Sequence, residues 1–474
     1  MNIVLINPCF NRYAGVKGHG GLSAPLNLAC LAAYVRLKRS NYKIYIIDAE
    51  ALNYTYQDII KKTFTINPDL IGITTTTPSF DIISNLVNDL HRTNPSVPII
   101  LGGPHATGSP ETTVLVPGVS VAVIGEGELT FLDIVDRIKN NESFLEVKGI
   151  AYQNNNGRCI KTEPRELIHN LDVLPLPARD LLPMEMYYSP PTKSLGGAMI
   201  ANILSSRGCP FHCSFCLSDM MWGRRYRQRS VNKIIEEIED CANNYGCDEF
   251  NFNDDLFTAD RDRVKELCDK IIEKKINIKW VAMSRADYID IDLLKIMKKA
   301  GCKKIAMGLE SGSEKVLKCM NKRINLDKSI KAVKMIKKAG IAVGASFVLG
   351  HIGETKETIK QTIAFAKKLN PDTVAFFQAS PYPGTEFYKI AQKAGYIRED
   401  AQWIDYAIVS DKPSVIDLPR LSAEEIYKWV KKAYKSFYFS SRYIFSRIKK
   451  INSWKAFTDN LKGLKILFSI VKNN

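Results

Sequence analysis

The first 140 residues alternate short apolar runs with amphipathic segments. The apolar runs, such as NIVLIN, LIGITTT and VPIILGG, are rich in β-branched residues and end in turn residues, as strands do. The segments between them, such as LNLACLAAYVRLK, have the apolar spacing of helices that cover one face of a sheet. This alternation predicts a doubly wound parallel sheet of about five strands over residues 1–142, with helices on both faces.

A second alternating region covers residues 198–400. Its strand candidates are AMIANILSS, DEFNFND, IKWVAMS, KKIAMGLE, AVGASFVLG and TVAFFQAS, each followed by a helical pattern. Six such units in this order predict a partial (β/α)6 barrel of the TIM type, in which functional groups lie at the carboxyl ends of the strands. The predicted fold class is therefore α/β, with a Rossmann-like sheet followed by a partial barrel.

Two segments lie outside these regions. Residues 143–197 predict a hairpin followed by a proline-rich linker. Residues 401–474 predict a basic, aromatic, helical extension, since residues 425–474 alone contain twelve lysines or arginines and two acids. Three roles stay open for it: a helical lid packed over the barrel, contact with a membrane surface or a lipid-like substrate, or contact with nucleic acid. The last has the least support because no recognition module is visible.

The composition fits a packed globular protein of two or three domains, with 45% hydrophobic and 24% charged residues among 474. No run of eighteen apolar residues occurs, and MNIVLINPCF lacks the basic flank of a signal peptide. We therefore expect a cytoplasmic protein, with a membrane-peripheral location left open by the tail. Eleven cysteines without framework spacing favour a reduced compartment over disulfides.

Three cysteines lie close together in RGCPFHCSFC, directly after the first strand of the second region. Thiolates are soft ligands, so Cys209, Cys213 and Cys216 are typical of a zinc ion or an iron–sulfur cluster. A structural zinc site needs a fourth protein ligand, which His212 could supply. A four-iron cluster held by three cysteines instead keeps one iron open, which is useful where a substrate binds to that iron.

The arrangement Cys-x-x-x-Cys-x-aromatic-Cys, which includes Phe215, resembles the signature of radical S-adenosylmethionine (SAM) enzymes. The resemblance implies that the three cysteines hold a 4Fe-4S cluster whose open iron chelates the amino and carboxylate groups of SAM. One electron from an external donor of the flavodoxin or ferredoxin class would then cleave SAM, and the 5′-deoxyadenosyl radical would take hydrogen from an unactivated carbon.

The same resemblance implies SAM-binding residues at the ends of the later barrel strands. After the second strand, the candidates for the SAM amino group are Asn253, Asp254 and Asp255, and after the third strand the candidate for the carboxylate is Arg285. After the fourth strand, the candidates for the ribose are Glu310 and Ser311, and after the fifth strand the adenine-side glycine is Gly350. The loop after the fifth strand reads GHIGET, where the family has Gly-x-Pro-Gly-Glu-Thr. Ile352 replaces the proline, which is expected to loosen the turn.

The strand ends of the first region are rich in glycine and hydroxyl residues. Their pattern, PDLIGITTTTPSFD…PIILGGPHATGSPE…VAVIGEGELTFLDI, resembles the cobalamin-binding domain of cobalamin-dependent radical SAM enzymes. The resemblance implies cofactor contacts from these loops, with the candidates Thr75, Thr76, Gly102, Gly103, His105, Gly125, Glu126 and Gly127. The Asp-x-His-x-x-Gly motif is absent, so we expect no axial histidine on cobalt. No G-x-G-x-x-G follows the first strand, which disfavours a dinucleotide.

Together these resemblances imply a cobalamin-dependent radical SAM enzyme, most directly a C-methyltransferase for an unactivated carbon of a small or lipid-like metabolite. Oxidative cyclisation or rearrangement on the same core is the alternative reaction. A non-catalytic regulator that binds a corrinoid or a metal is the alternative of another class, and it would not cleave SAM.

Overall fold

The computed structural model describes residues 1–10, 21–189, 194–197 and 199–448. These residues form two large sheets, the first mostly and the second wholly parallel, one in each alternating region of the sequence. The division of the chain at residues 142, 197 and 400 stays a prediction, but both predicted sheets are present.

The first sheet has seven strands in the order β2-β1-β3-β4-β5-β6-β7, of which β1 to β5 are parallel. The hairpin β6–β7 joins it antiparallel to β5, so part of the predicted linker segment extends this sheet. The strands are β1 (Asn2–Asn7), β2 (Lys43–Asp48), β3 (Leu70–Thr74), β4 (Ile99–Gly102), β5 (Val119–Val123), β6 (Ile150–Gln153) and β7 (Cys159–Lys161).

Helices cover both faces of the first sheet, as a doubly wound fold requires. On one face α1 and α7 pack in a core with residues such as Val35 and Phe131, and on the other α3 and α4 pack in a core with Ile59 and Leu86. The helices are α1 (Leu26–Lys38), α2 (Ala49–Leu52), α3 (Tyr56–Thr65), α4 (Phe80–Thr93), α5 (Pro104–Gly108), α6 (Pro110–Val114) and α7 (Glu128–Lys139).

The second sheet has six parallel strands in the order β15-β14-β13-β12-β11-β8, which confirms the predicted strand–helix order of a partial barrel. A two-residue antiparallel ladder, β9 with β10, lies apart from it. The strands are β8 (Ile200–Ile203), β9 (Ser206–Arg207), β10 (Arg227–Gln228), β11 (Glu249–Phe252), β12 (Lys279–Ser284), β13 (Cys302–Glu310), β14 (Ala342–Leu349) and β15 (Thr373–Gln378).

Capped helices connect the barrel strands. The longest of these, α9, begins after Ser230, whose hydroxyl accepts from the Lys233 N–H (3.3 Å), and ends at Gly246 in a left-handed conformation. The helices are α8 (Ser218–Trp222), α9 (Val231–Tyr245), α10 (Arg261–Glu273), α11 (Ile291–Lys299), α12 (Glu314–Cys319), α13 (Leu326–Lys338), α14 (Lys356–Leu369) and α15 (Glu386–Lys393).

The carboxyl edges of the two sheets meet. Gly108, the last residue of α5 after β4, lies so close to the loop after β15 that a Cβ on it would be 2.3 Å from the Pro383 carbonyl oxygen. The short 3-10 helix Thr77–Ser79 after β3 also packs against the one formed by Trp403–Tyr406. Loops that end the strands of both sheets therefore face a common interdomain region.

The C-terminal extension closes the outer edge of the barrel. Its helix α16 (Ala423–Tyr438) packs along β14 and β15, and α17 (Ser441–Ile448) follows. The Tyr438 hydroxyl accepts from the Val374 N–H (2.9 Å) and donates to the Val374 carbonyl (2.7 Å), and the Tyr434 hydroxyl accepts from the Phe376 N–H (3.1 Å). Tyrosine side chains thus pair with the backbone of edge strand β15. The part of the tail after residue 448 lies outside the described residues.

Candidate active site

The three cysteines lie on a loop that is closed at its base. This cluster loop, residues 208–226, connects β9 to β10, so its two ends are hydrogen-bonded to each other. Gly208 has φ +85°, and a Cβ there would lie 2.4 Å from the Arg225 carbonyl oxygen, so glycine is needed at this closure. The Ser214 N–H donates to the Met320 carbonyl (3.0 Å), and the Asn321 amide donates to the His212 carbonyl (2.8 Å). The loop is therefore tied to the segment that follows α12.

The thiols of the cluster loop are partly desolvated. Burial raises the pKa of Cys209, Cys213 and Cys216, so each thiol is neutral until a soft metal takes its proton's place. His212 lies with Nδ1 3.6 Å from an Asp219 carboxylate oxygen. Within the described part of the chain, no three His, Cys, Asp or Glu side chains converge on one ion. This donor set fits a cluster that binds each thiolate to a different iron better than it fits a single zinc ion.

The acidic residues after β11 contact the cluster loop or the two serines that precede it. Asp254 is fully buried and accepts from the hydroxyls of Ser205 (3.0 Å) and Ser206 (2.6 Å). Asp255 accepts from the Ser218 hydroxyl (2.5 Å), and its charge contributes to the raised pKa of Cys209 and Cys216. The Asn253 N–H donates to the Ile203 carbonyl of β8 (2.8 Å). Of the two acids, Asp254 thus supports the base of the loop, whereas Asp255 lies beside the thiols.

Arg285, after β12, has an unused donor. Its guanidinium lies 3.5 Å from the ring centre of Phe211 in the cluster loop, pairs with Asp287 (Nε to Oδ1, 3.1 Å) and donates to the Lys322 carbonyl (3.1 Å). The side chain is 6% exposed, yet Nη1 has no hydrogen-bond partner among the described residues. A buried guanidinium donor without a partner is destabilising, so this atom suits an anionic ligand such as the SAM carboxylate.

Glu310 ends β13 in a strained conformation. Its φ is +61°, beside a β-bulge at Gly308, and its carboxylate accepts from the Lys322 ammonium (2.8 Å). Burial alone would lower the pKa of Lys322, but the Glu310 carboxylate raises it above its usual value. Strain of this kind is found at ligand sites. Glu310 and Lys322 thus form a charged pair at the mouth of the barrel. The Lys322 ammonium lies 6.0 Å from the Phe215 ring centre.

The residues implied for the ribose and adenine have structural partners in this chain. The Ser311 hydroxyl is fully buried and lies 3.1 Å from the Thr362 hydroxyl on α14. Gly350 has φ +96°, and a Cβ on it would lie 2.7 Å from Ile426 of α16. In the GHIGET turn, His351 packs inward, with its ring 4.3 Å from that of Phe387 and Nε2 3.1 Å from the Ser214 hydroxyl, and the loosening of the turn stays a prediction.

In the first domain, the loops after β3 and β4 hold each other through backbone contacts. The Thr75 N–H and hydroxyl both donate to the Gly102 carbonyl (2.7 and 2.8 Å), and the Ala106 N–H donates to the Thr75 hydroxyl (3.1 Å). Gly103 has φ +102°, and a Cβ there would lie 2.7 Å from the Thr75 carbonyl oxygen. Thr76 is exposed and shares a 2.8 Å hydrogen bond with Ser79. Thr75 is thus a structural support, and Thr76 is open to a ligand.

His105 is fully buried. Its ring centre lies 3.8 Å from that of Phe80 and 4.8 Å from that of Trp403, and its nitrogens lie 3.2 and 3.3 Å from the hydroxyls of Thr77 and Thr112. Burial lowers the pKa of His105 to about 3, so the imidazole is neutral. With both ring nitrogens paired, His105 does not present a lone pair to a metal in this arrangement.

The loop after β5 combines an open glycine with a buried acid. Gly125 has φ +76°, nothing lies within 4 Å of a Cβ placed on it, and its N–H donates to the Thr107 hydroxyl (3.0 Å). Glu126 is turned toward the barrel, where it pairs with Arg207 (3.0 Å) and Arg227 (2.8 Å). Gly127 precedes α7 and lies against Leu31. The open space at Gly125 fits the close approach of a large planar cofactor, whereas the Glu126 carboxylate is engaged by the two arginines that flank the cluster loop.

Comparison with known proteins accounts for both halves of this arrangement. The Radical SAM superfamily model matches residues 203–366, and the B12 binding domain model matches residues 18–135. An uncharacterized methyltransferase of Pyrococcus horikoshii is 36% identical over 92% of this chain and 92% of its own length. The chain belongs to the B12-binding radical SAM family.

Two further comparisons cover most of the chain. The anaerobic magnesium-protoporphyrin IX monomethyl ester cyclase of Rubrivivax gelatinosus is 29% identical over 82% of this chain and 70% of its own length. The radical SAM methyltransferase TsrM of Kitasatospora setae, solved with cobalamin and a [4Fe-4S] cluster, has a TM-score of 0.68 at 18% identity, over 84% of this chain and 76% of that one. The likeness to TsrM shows the shared fold.

The cofactors of this B12-binding radical SAM protein are therefore a 4Fe-4S cluster, SAM and cobalamin. The individual SAM and cobalamin contacts stay predictions. Four residues near the site were not singled out for it in the sequence: Arg207, Ser214, Lys322 and His351 contact the cluster loop or its neighbours. The only signal was the departure from the family loop at Ile352, next to His351, while Lys322 in MNKRIN resembles any surface lysine.

A surface cavity of about 490 Å³ lies elsewhere, on the outer side of the first domain. It is lined by charged residues of α7 and the following hairpin, including Asp133 and Arg165, which pair with each other. It contains none of the predicted site residues.

Proposed function

We propose that this protein is a C-methyltransferase that acts on an unactivated carbon of a small or lipid-like metabolite. The observation that carries the proposal is the contact between the carboxyl edges of the two sheets, because it turns the cluster loop toward the loops of the B12-binding domain. When bound, the cluster supplies the electron that cleaves SAM, and cobalamin supplies the methyl group. A whole-length relative named as a methyltransferase supports this reaction.

In this proposal the barrel mouth binds and orients SAM. Arg285 would pair with the SAM carboxylate through its unpartnered Nη1, and Phe211 holds the guanidinium plane in place. Asp255, beside the thiols, is the acid best placed for the amino group. Glu310 would accept hydrogen bonds from the ribose while the Lys322 ammonium holds its carboxylate in place.

The B12-binding domain would hold the corrin with backbone groups and small side chains. Gly125 leaves open space, Thr76 offers an exposed hydroxyl, and Gly103 allows the loops after β3 and β4 to approach closely. His105 stays neutral and internally paired, so its ring nitrogens would not bind the cobalt of a bound corrin.

Cyclisation is the second candidate reaction, because the Rubrivivax gelatinosus relative is named as a cyclase. S-adenosylhomocysteine is a by-product expected of a methyltransferase that uses SAM as methyl source, and a cyclase has no need to form it. The ratio of S-adenosylhomocysteine to 5′-deoxyadenosine therefore separates the two reactions.

The test begins with iron, zinc and corrinoid analysis after anaerobic reconstitution with sulfide and hydroxocobalamin. We expect about four irons and one corrinoid per chain. A chemical one-electron reductant should then yield 5′-deoxyadenosine and S-adenosylhomocysteine. Iron without corrinoid would refute the methyl-transfer proposal, and zinc without iron would favour the non-catalytic regulator.

The electron donor and the tail complete the proposal. A flavodoxin or ferredoxin would reduce the cluster, and no nucleic acid would take part.

Among the described helices, none is long and apolar enough to cross a membrane. The exposed Ile444, Phe445 and Ile448 beside Arg442 on α17 suit a peripheral contact with anionic lipid. Sedimentation with phosphatidylserine vesicles tests this: Phe445→Asp should reduce binding, and equal binding of both proteins would refute it.

A further inference from the structure

One carboxylate of the B12-binding domain contacts both ends of the cluster loop. Glu126 Oε1 accepts from Arg207 Nη1 (3.0 Å) and Arg227 Nη1 (2.8 Å), and Oε2 accepts from Arg227 Nη1 (3.0 Å) and from the Ile168 N–H (2.8 Å). Arg207 immediately precedes the cluster loop and Arg227 immediately follows it. The two arginines are direct partners in the β9–β10 ladder.

The charged groups of this contact are buried, so each one is stabilised mainly by its ion-pair partners. The side chains of Glu126, Arg207 and Arg227 are 5%, 6% and 2% exposed. Glu128 balances the second positive charge by accepting from Arg207 Nη2 (2.5 Å), and the Trp222 ring covers the Arg207 guanidinium at 4.8 Å. A buried charge that loses its partner is strongly destabilising. Removing the Glu126 charge would therefore act on both ends of the loop at once.

The partners of Glu126 come from the barrel and from the linker, never from its own sheet. Its predicted role as a cobalamin contact leaves this arrangement unexplained, because both of its oxygens are already engaged away from the strand ends. The geometry instead joins the loop after β5, which carries Gly125, to the loop that carries the cysteines.

We propose that Glu126 is a positioning residue: through Arg207 and Arg227 it fixes the cluster loop against the B12-binding domain and so sets how the two cofactor sites face each other. The second half of this inference rests on the proposed function. Glu126 touches neither substrate nor reacting atoms in this role, and it acts through the two arginines.

The chain contains a matched control. Glu237 on α9 is 1% exposed and is likewise bound by two arginines, Arg179 (2.5 Å) and Arg229. Arg179 belongs to the linker, and Arg229 lies between β10 and α9, outside the cluster loop. Glu237→Gln therefore removes a comparable buried charge but takes no side-chain partner from Arg207 or Arg227.

The first readout is hydrogen exchange of the backbone amides, measured on the full chain. In Glu126→Gln we expect amides of residues 208–226 to exchange at least about tenfold faster than in the wild type. In the wild type, local opening of the loop has to break the ion pairs of Glu126 with Arg207 and Arg227, and the variant lacks these pairs, so opening costs less free energy. In Glu237→Gln the increase should lie outside the cluster loop. Unchanged exchange in Glu126→Gln, or an equal increase at residues 208–226 in both variants, would overturn the proposal.

The second readout is magnetic. In the reconstituted protein, the electron paramagnetic resonance spectrum of the reduced cluster together with cob(II)alamin reports how the two centres are placed relative to each other. Glu126→Gln should keep its iron and corrinoid yet show an altered spin–spin interaction, whereas Glu237→Gln should keep the wild-type spectrum. An unchanged interaction in Glu126→Gln would contradict the positioning role.

If Glu126→Gln does not fold, the conservative pair Arg227→Lys and Arg229→Lys replaces the two glutamine variants. Lysine keeps the charge but cannot reproduce the contacts of Arg227 with Glu126, the Ile168 carbonyl (2.7 Å) and the Trp222 carbonyl (2.9 Å) together. Only Arg227→Lys should speed exchange in the cluster loop. A wild type that binds no corrinoid would refute the proposed function, while the exchange experiment would still decide the role of Glu126.

Discussion

The carboxyl edges of the two sheets face each other but are built differently. The barrel mouth carries charged side chains that form ion pairs: Glu310 pairs with Lys322, and Arg285 pairs with Asp287. The edge of the first domain instead carries glycines, hydroxyls and the neutral His105. SAM is a small zwitterionic ligand that is recognised by charge, whereas a corrin is a broad ring that needs space and close backbone approach. Charge at one edge and shape at the other match the two ligands.

The largest effect is expected from the cluster ligands. Cys213→Ala should lower the yield of 5′-deoxyadenosine by at least about 10³-fold, because a cluster with one protein ligand fewer is not held stably. Iron content and product yield after anaerobic reduction measure this. Cys159→Ser in the hairpin is the control and should retain both. If Cys213→Ala retained both the cluster and SAM cleavage, the barrel mouth would not be the site at which SAM is cleaved.

Arg285 tests recognition by charge. Arg285→Ala should weaken SAM binding by about 10- to 100-fold, since a hydrogen bond to a charged group contributes about 1.5–3 kcal/mol. Equilibrium binding of SAM to the cluster-loaded protein measures it. Arg261→Ala, which removes an exposed pair with Asp290, should change SAM affinity by less than about twofold. Equal effects would show that Arg285 has no special part in binding.

Gly125 tests recognition by shape at the other edge. Gly125→Ala should weaken corrinoid binding by about tenfold, because its methyl group would project into the open space proposed for the ring. Titration with hydroxocobalamin followed by absorbance gives the affinity. Gly157→Ala has a similar φ of +74° in the β6–β7 turn and controls for backbone strain. If both variants bind cobalamin equally well, the corrin does not approach Gly125.

His105 gives the smallest effect, on stability. Its folded pKa of about 3 lies below 6.5, so as pH falls from 7 to 6 the unfolded chain gains a proton that the folded chain does not. His105 should therefore lower the free energy of unfolding by about 0.7 kcal/mol over this step. Urea unfolding of the wild type and of His105→Gln at both pH values isolates this contribution. Identical pH dependence would mean that the imidazole is not held neutral.

The elements of both sheets could be predicted because local patterns determine them. The six barrel strands all coincide with the short runs predicted as strands, and the cysteine spacing identified the cluster loop. The partners of individual acids could not be predicted. Glu126 meets Arg207 and Arg227 across 81 and 101 residues of sequence, and no periodicity encodes such a pairing. For the same reason GEGELT indicated a ligand loop and gave no sign of a contact between domains.

The tyrosines of α16 have a consequence beyond the active site. An open six-stranded sheet has a free edge, and free edges recruit strands from other molecules. Hydroxyls of Tyr434 and Tyr438 occupy the Val374 and Phe376 amides that a seventh strand would use. The helix thereby acts as a guard against self-assembly, and a chain cut before residue 423 would expose a ready template for aggregation.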